Sequence, residues 1–157
     1  MNDNISILRL QDAWHECERN IYYLCNALTS LDPVLPMTVE RFGRLMDTQV
    51  QAMDQFILRF TKLQDAMGGR LFPAILAYLQ EPNEERQKIR MTRNRFAHDY
   101  PDDWSKNSAL INVACEAAAE MYCILIGIEN KLRTERSGHV LVKSLPEFVL
   151  SKTLKNG

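Results

Sequence analysis

Residues 86–104, RQKIRMTRNRFAHDYPDDW, hold the densest set of side chains able to do chemistry. Arg86, Lys88, Arg90, Arg93 and Arg95 fall within ten positions, and His98, Asp99, Tyr100 and Pro101 follow at once. Such a set suits cleavage of an RNA phosphodiester. RNA carries its own nucleophile, the 2'-hydroxyl, so a protein need only move protons and hold the phosphate. His98, with an imidazole near neutral pKa, is the expected general acid or base. Arg93 is the expected phosphate clamp, stabilising transition-state charge through paired hydrogen bonds. Asn94 is placed to orient His98 or the phosphate, and Tyr100 to hydrogen-bond the substrate. Arg86, Lys88, Arg90 and Arg95 form the expected RNA-binding surface. No carboxylate pair, glycine-rich phosphate loop or metal-ligand cluster suggests another chemistry, so no metal or cofactor is called for.

The element that must carry these groups is a helix. Pro82 suits a first turn, Glu84 and Glu85 sit near the positive end of the dipole, and the basic residues fill later turns. Pro101 disfavours helical geometry at Tyr100 and ends the helix there. His98 then lies in the last turn, where the negative dipole end favours imidazolium. Asn94 and His98, four apart, share a face. Arg93 and His98, five apart, point about 140° away from each other. A long guanidinium arm, a frayed last turn or a second copy of the helix across a dimer would bring them together.

Arg93, four residues, His98, one residue and Tyr100 make the pattern R-x4-H-x-Y, with Asn94 after the arginine. This resembles the signature of the HEPN superfamily, in particular the HEPN toxins encoded beside MNT nucleotidyltransferase antitoxins. Residues 59–76, RFTKLQDAMGGRLFPAIL, also look like the second-helix ending of such toxins, and the resemblance spans roughly residues 5–133. It implies a metal-independent endoribonuclease toxin acting as a homodimer, two motifs meeting in one cleft to leave 2',3'-cyclic phosphate and 5'-hydroxyl ends. It further implies an MNT-type antitoxin that silences the toxin by adenylylating Tyr100. Two other readings stand beside it. One is a non-catalytic subunit that holds a nucleotide or RNA for a nucleotidyltransferase. The other is purely structural, with Arg93 and Arg95 solvated, Asn94 and His98 capping the helix, and Tyr100 packed on Trp104.

Composition sets the bounds. A chain of 157 residues with 46% hydrophobic and 25% charged residues is expected to form one domain, 1–157, with core near 5–133 and a C-terminal extension. The net charge of -1 gives no global attraction to nucleic acid, so RNA binding must be local to residues 86–95. No run of about 18 apolar residues is evident and the first residues are polar and acidic, so neither a membrane span nor a signal peptide is expected, and a cytoplasmic location follows. Cys17 and Cys25, like Cys115 and Cys123, are eight apart, about 12 Å along a helix. That is too far for a disulfide within the helix, and all four read as small buried hydrophobes.

Helical periodicity predicts an all-α chain, an antiparallel up-down bundle of four to five helices plus a short C-terminal one. The expected helices are 5–28, 39–67 with Thr38 as N-cap, a short one within 70–80, 82–100, and one to about 133 capped by Ser105 or Asn107. Gly68 and Gly69 are expected to close the second helix. The pair Ser144 and Glu147 reads as the capping box of a last helix to about 153. His15, alone on its helix, reads as a surface residue.

Overall fold

The computed structural model describes residues 2–79, 87, 90–92, 103–135 and 145–148. These are helical almost throughout, with no strand among the described residues, so the protein is all-α.

The first helix, α1, spans Asn2–Leu31. Leu10, Trp14, Cys17, Ile21, Leu24, Leu28 and Leu31, spaced alternately four and three apart, are all buried. A repeat averaging 3.5 residues keeps one seam facing the same neighbour over several turns. That neighbour is α3, Asp47–Ala66, whose Met53, Phe56, Phe60 and Leu63 repeat at three and four and are buried against it. Each such side chain contributes about 1.5–3 kcal/mol on full burial. The methionine and phenylalanine stripe is therefore core.

The expected helix 39–67 is two helices. α2, Val39–Gly43, begins on Thr38, whose Oγ1 accepts from the Arg41 N–H at 3.1 Å. It stops after one turn, at Gly43, a poor helix former. α3 restarts after Met46, whose N–H donates to Gln49 Oε1 at 2.9 Å. Gln49, a polar interruption in the apolar stripe, is the residue that starts the new helix. Leu45 is consequently only partly buried, and Met46 is 62% exposed.

Gly68 and Gly69 do not cap a helix end. The backbone continues through a π turn, Met67–Leu71, into α4, Phe72–Leu79. The Phe72 N–H donates to the Met67 carbonyl, five residues back. Pro73 supplies the reason: a proline in an unbroken α-helix has no N–H for the carbonyl of residue 69 and would press its ring against it. The wider turn relieves that clash, and two glycines lower the cost of leaving α geometry.

The last long helix, here α5, spans Ser108–Glu135. Asn107 is its cap, Oδ1 accepting from the Leu110 N–H at 2.9 Å. Its Ile111, Ala114, Cys115, Ala118, Met121, Leu125 and Leu132 join the core. By length and composition α5 is apolar enough to cross a membrane, with a mean hydropathy of 1.6 over its best 18 residues. This corrects the expectation that no segment would qualify: Glu116 and Glu120 interrupt the apolar run without lowering its average far. Near its end the buried Glu129 carboxylate is paired with Arg133, 3.1 Å away.

Residues 145–148 are not helical, which corrects the capping-box reading. Pro146 disfavours α geometry at Leu145. The Pro146 carbonyl also accepts a hydrogen bond from Tyr122 Oη at 2.7 Å, and Phe148 stacks on the Tyr122 ring at 4.9 Å. Tertiary contacts to α5 replace the turn of helix.

Candidate functional site

Of the predicted site residues, Arg86, Lys88, Arg93, Asn94, Arg95, His98 and Tyr100 lie outside the described residues, as do Asp99 and Asp102. Arg90 is described. It is helical together with Met91 and Thr92, as the periodicity predicts, and Gln87 is helical too. Gln87, Arg90 and Met91 are all exposed, and of these Arg90 presents a charge to solvent.

Both flanks of this segment are rooted in the core. Upstream, α4 buries Phe72, Ile75 and Leu76, with Tyr78 and Leu79 packed partly against the same cluster. Downstream, Trp104 is 6% exposed and meets the Phe60 ring edge-to-face, centroids 5.0 Å apart at 85°. Such a geometry adds about 0.5–1.5 kcal/mol beyond burial. Trp104 opens a 3-10 turn, Trp104–Lys106, capped by Asp103. The Asp103 carboxylate accepts from the Ser105 Oγ at 2.6 Å and the Ser105 N–H at 2.9 Å. These bonds, the hydroxyl's first, hold its pKa below the ordinary carboxylate value. Asp103 is thus engaged as a turn cap, and Ser105 is its donor rather than the cap of α5.

A polar tie that the sequence gives no sign of lies across α1 and α3. The Arg59 Nη1 donates to Asn20 Oδ1 at 3.1 Å, and its guanidinium lies 4.4 Å from the centroid of the Tyr23 ring. Asn20 is buried, so this bond satisfies an amide that would otherwise weaken the core. The three residues sit 39 positions apart at the extremes, beyond any local pattern.

Thiol chemistry has little place in the core. Burial, aided by Glu16, pushes the Cys17 thiol up to about 12. Burial pushes Cys25 up to about 11 and, with Glu116, Cys115 up to about 12. These three are the buried hydrophobes expected. Cys123 is not: it sits two positions from both Met121 and Leu125 of the buried stripe, about 200° around the helix, and is exposed. His15 is exposed, as a surface residue should be. No group of three metal-ligating side chains occurs among the described residues.

No protein-family model, curated protein or solved structure matches this chain. The functional reading rests on its own residues.

Proposed function

We propose that this protein is a metal-independent endoribonuclease of the HEPN toxin type, acting in the cytoplasm as a homodimer. The observation that carries the reading is the R-x4-H-x-Y spacing of Arg93, His98 and Tyr100 in a strongly basic segment of an all-helical chain. Exposure of Arg90 in helical geometry supports it, as does the anchoring of the flanks by Leu76 and Trp104.

In the proposed reaction the 2'-hydroxyl oxygen attacks the adjacent phosphorus as His98 takes its proton. The bond from phosphorus to the 5'-oxygen breaks, and that oxygen receives a proton from the second copy of the motif. Arg93 holds the non-bridging oxygens as their charge grows. Asn94 orients the imidazole, Tyr100 hydrogen-bonds the substrate, and Arg86, Lys88, Arg90 and Arg95 pair with flanking phosphates. The products are a 2',3'-cyclic phosphate and a 5'-hydroxyl. An MNT-type partner would silence the enzyme by moving AMP from ATP onto the Tyr100 oxygen with release of pyrophosphate, placing bulk and negative charge where RNA must bind.

The test is cleavage of total cellular RNA by purified protein in EDTA, wild type beside folded Arg93→Ala and His98→Ala. Cleavage that survives EDTA, leaves cyclic phosphate ends and is lost in both variants is expected. An inactive wild-type dimer that still binds RNA or nucleotide would overturn the nuclease in favour of a binding subunit.

A further inference from the structure

A second candidate site lies where the first half of α1 faces the π turn and α4. Between them is a cleft of about 350 Å³, at the small end of the range for ligand pockets. It exists because the row of residues that α4 turns toward α1 is short. Pro73, Ala74 and Ala77 stand where other interhelical rows hold Leu, Phe or Trp, and a Cβ on Gly69 would meet nothing within 4 Å. The π turn sets this register, and such turns recur at functional sites.

Three charged side chains line the cleft: Arg9 and Asp12 from α1, and Arg70 from the π turn. Arg70 forms an ion pair with Glu16 through Nη1, and the rest of its donor fork has no partner among the described residues. Arg9 and Asp12 have no ion-pair partner among the described residues. The walls therefore alternate in sign, with a floor of Pro73 and alanine methyls. A phosphate or other plain anion would meet the arginines but also face the Asp12 carboxylate, with Arg70 already paired to Glu16. A plain cation would meet the reverse. A ligand carrying both charges a few ångströms apart places each on its complement.

We propose that this cleft binds a free α-amino acid with an apolar side chain. Its carboxylate sits between Arg9 and Arg70, its ammonium on Asp12, and its side chain on Pro73, Ala74 and Ala77. The proposal uses neither Arg93 nor His98 and stands or falls independently of the nuclease.

The test is calorimetric titration of the full chain with L-leucine and L-phenylalanine, beside N-acetyl-leucine and leucinamide, which each lack one of the two charges. Saturable one-to-one binding of leucine or phenylalanine is expected, at least about tenfold weaker for either derivative, in line with loss of one charged hydrogen bond. Arg9→Ala and Asp12→Ala should each weaken it by a similar factor. Ala77→Phe, at an exposed position that tolerates bulk, should abolish it while circular dichroism shows an intact helical fold. Arg93→Ala should leave it unchanged. Absence of binding by either amino acid to the folded wild type overturns the proposal. So does N-acetyl-leucine binding as well as leucine, which would mark a plain anion site, or binding lost in Arg93→Ala but kept in Arg9→Ala and Ala77→Phe.

Discussion

Asn112, on α5, should contribute more to stability than its half-buried position suggests. Its Nδ2 donates to the Met37 carbonyl at 2.8 Å while its Oδ1 accepts from the Met37 N–H at 2.7 Å. One amide thus completes both backbone groups of a buried residue in the segment between α1 and α2. Asn112→Ala deletes both bonds. At about 1–1.5 kcal/mol each, the loss is about 2–3 kcal/mol. The better helix propensity of alanine returns about 0.5 kcal/mol, leaving about 1.5–2.5 kcal/mol. For a chain of this size that is a fall in Tm of roughly 3–10 °C. Asn112→Asp is the sharper probe. At neutral pH its carboxylate keeps the acceptor but turns an oxygen toward the Met37 carbonyl, whereas its protonated form donates again. The folded pKa of this aspartic acid is therefore raised. Its stabilising bond is fully present below the unfolded pKa, near 4, and is lost as pH rises through the folded one. Urea unfolding followed by helical circular dichroism, at pH 7 and at acid pH against wild type, measures both effects. A loss below about 0.5 kcal/mol in Asn112→Ala at unchanged m would refute the reasoning, since that is the range of an ordinary surface substitution.

Trp104→Ala should cost about 3–5 kcal/mol, with Trp104→Phe recovering a large part, because a buried ring against Phe60 is removed; chemical denaturation measures it. Tyr122→Phe keeps the stack on Phe148 and loses the bond to Pro146, so a loss of about 0.5–1.5 kcal/mol in urea unfolding is expected. The raised pKa values of Cys17 and Cys115 mean that the native state keeps protons the unfolded chain releases above its value of 9.0. Their contribution is complete below that pH and declines by about 1.4 kcal/mol per pH unit per thiol toward pH 12. Urea midpoints at pH 8 and 10.5 should differ, and Cys17→Val should remove part of the difference. Arg59→Met should destabilise by about 1–3 kcal/mol, because Asn20 loses its partner inside the core; Arg59→Met combined with Asn20→Leu should restore much of that loss.

The parts of the fold that were legible in sequence are those written in a local period. The stripes from Leu10 to Leu31 and from Met53 to Leu63 announce their helices and their buried faces together, and Thr38 and Asn107 mark helix starts by side-chain chemistry. The errors arise where a distant or irregular contact outweighs a local signal. Gln49 looks like a polar fault in an apolar stripe but captures the Met46 N–H and splits the helix. Gly68 and Gly69 look like a terminus, yet Pro73 turns them into a π turn inside one rod. Glu147 looks like half a capping box until Tyr122 claims the neighbouring carbonyl. Of the basic segment, the helical character and exposure at Arg90 were readable; Arg93 and His98, proposed as catalytic, lie outside the described residues. The cleft beside Arg70 has no sequence signature, since its walls come from positions about sixty residues apart.

The unequal fates of the four cysteines give the chain a built-in handle. With Cys17, Cys25 and Cys115 buried and reluctant to ionise, a maleimide at neutral pH should find Cys123 and leave the rest. One dye or nitroxide per chain would then report from the middle of α5 with no engineered substitution. Two labelled copies would turn any self-association into a distance read by energy transfer or dipolar spectroscopy, and an oxidised sample could gain only a single bridge between them.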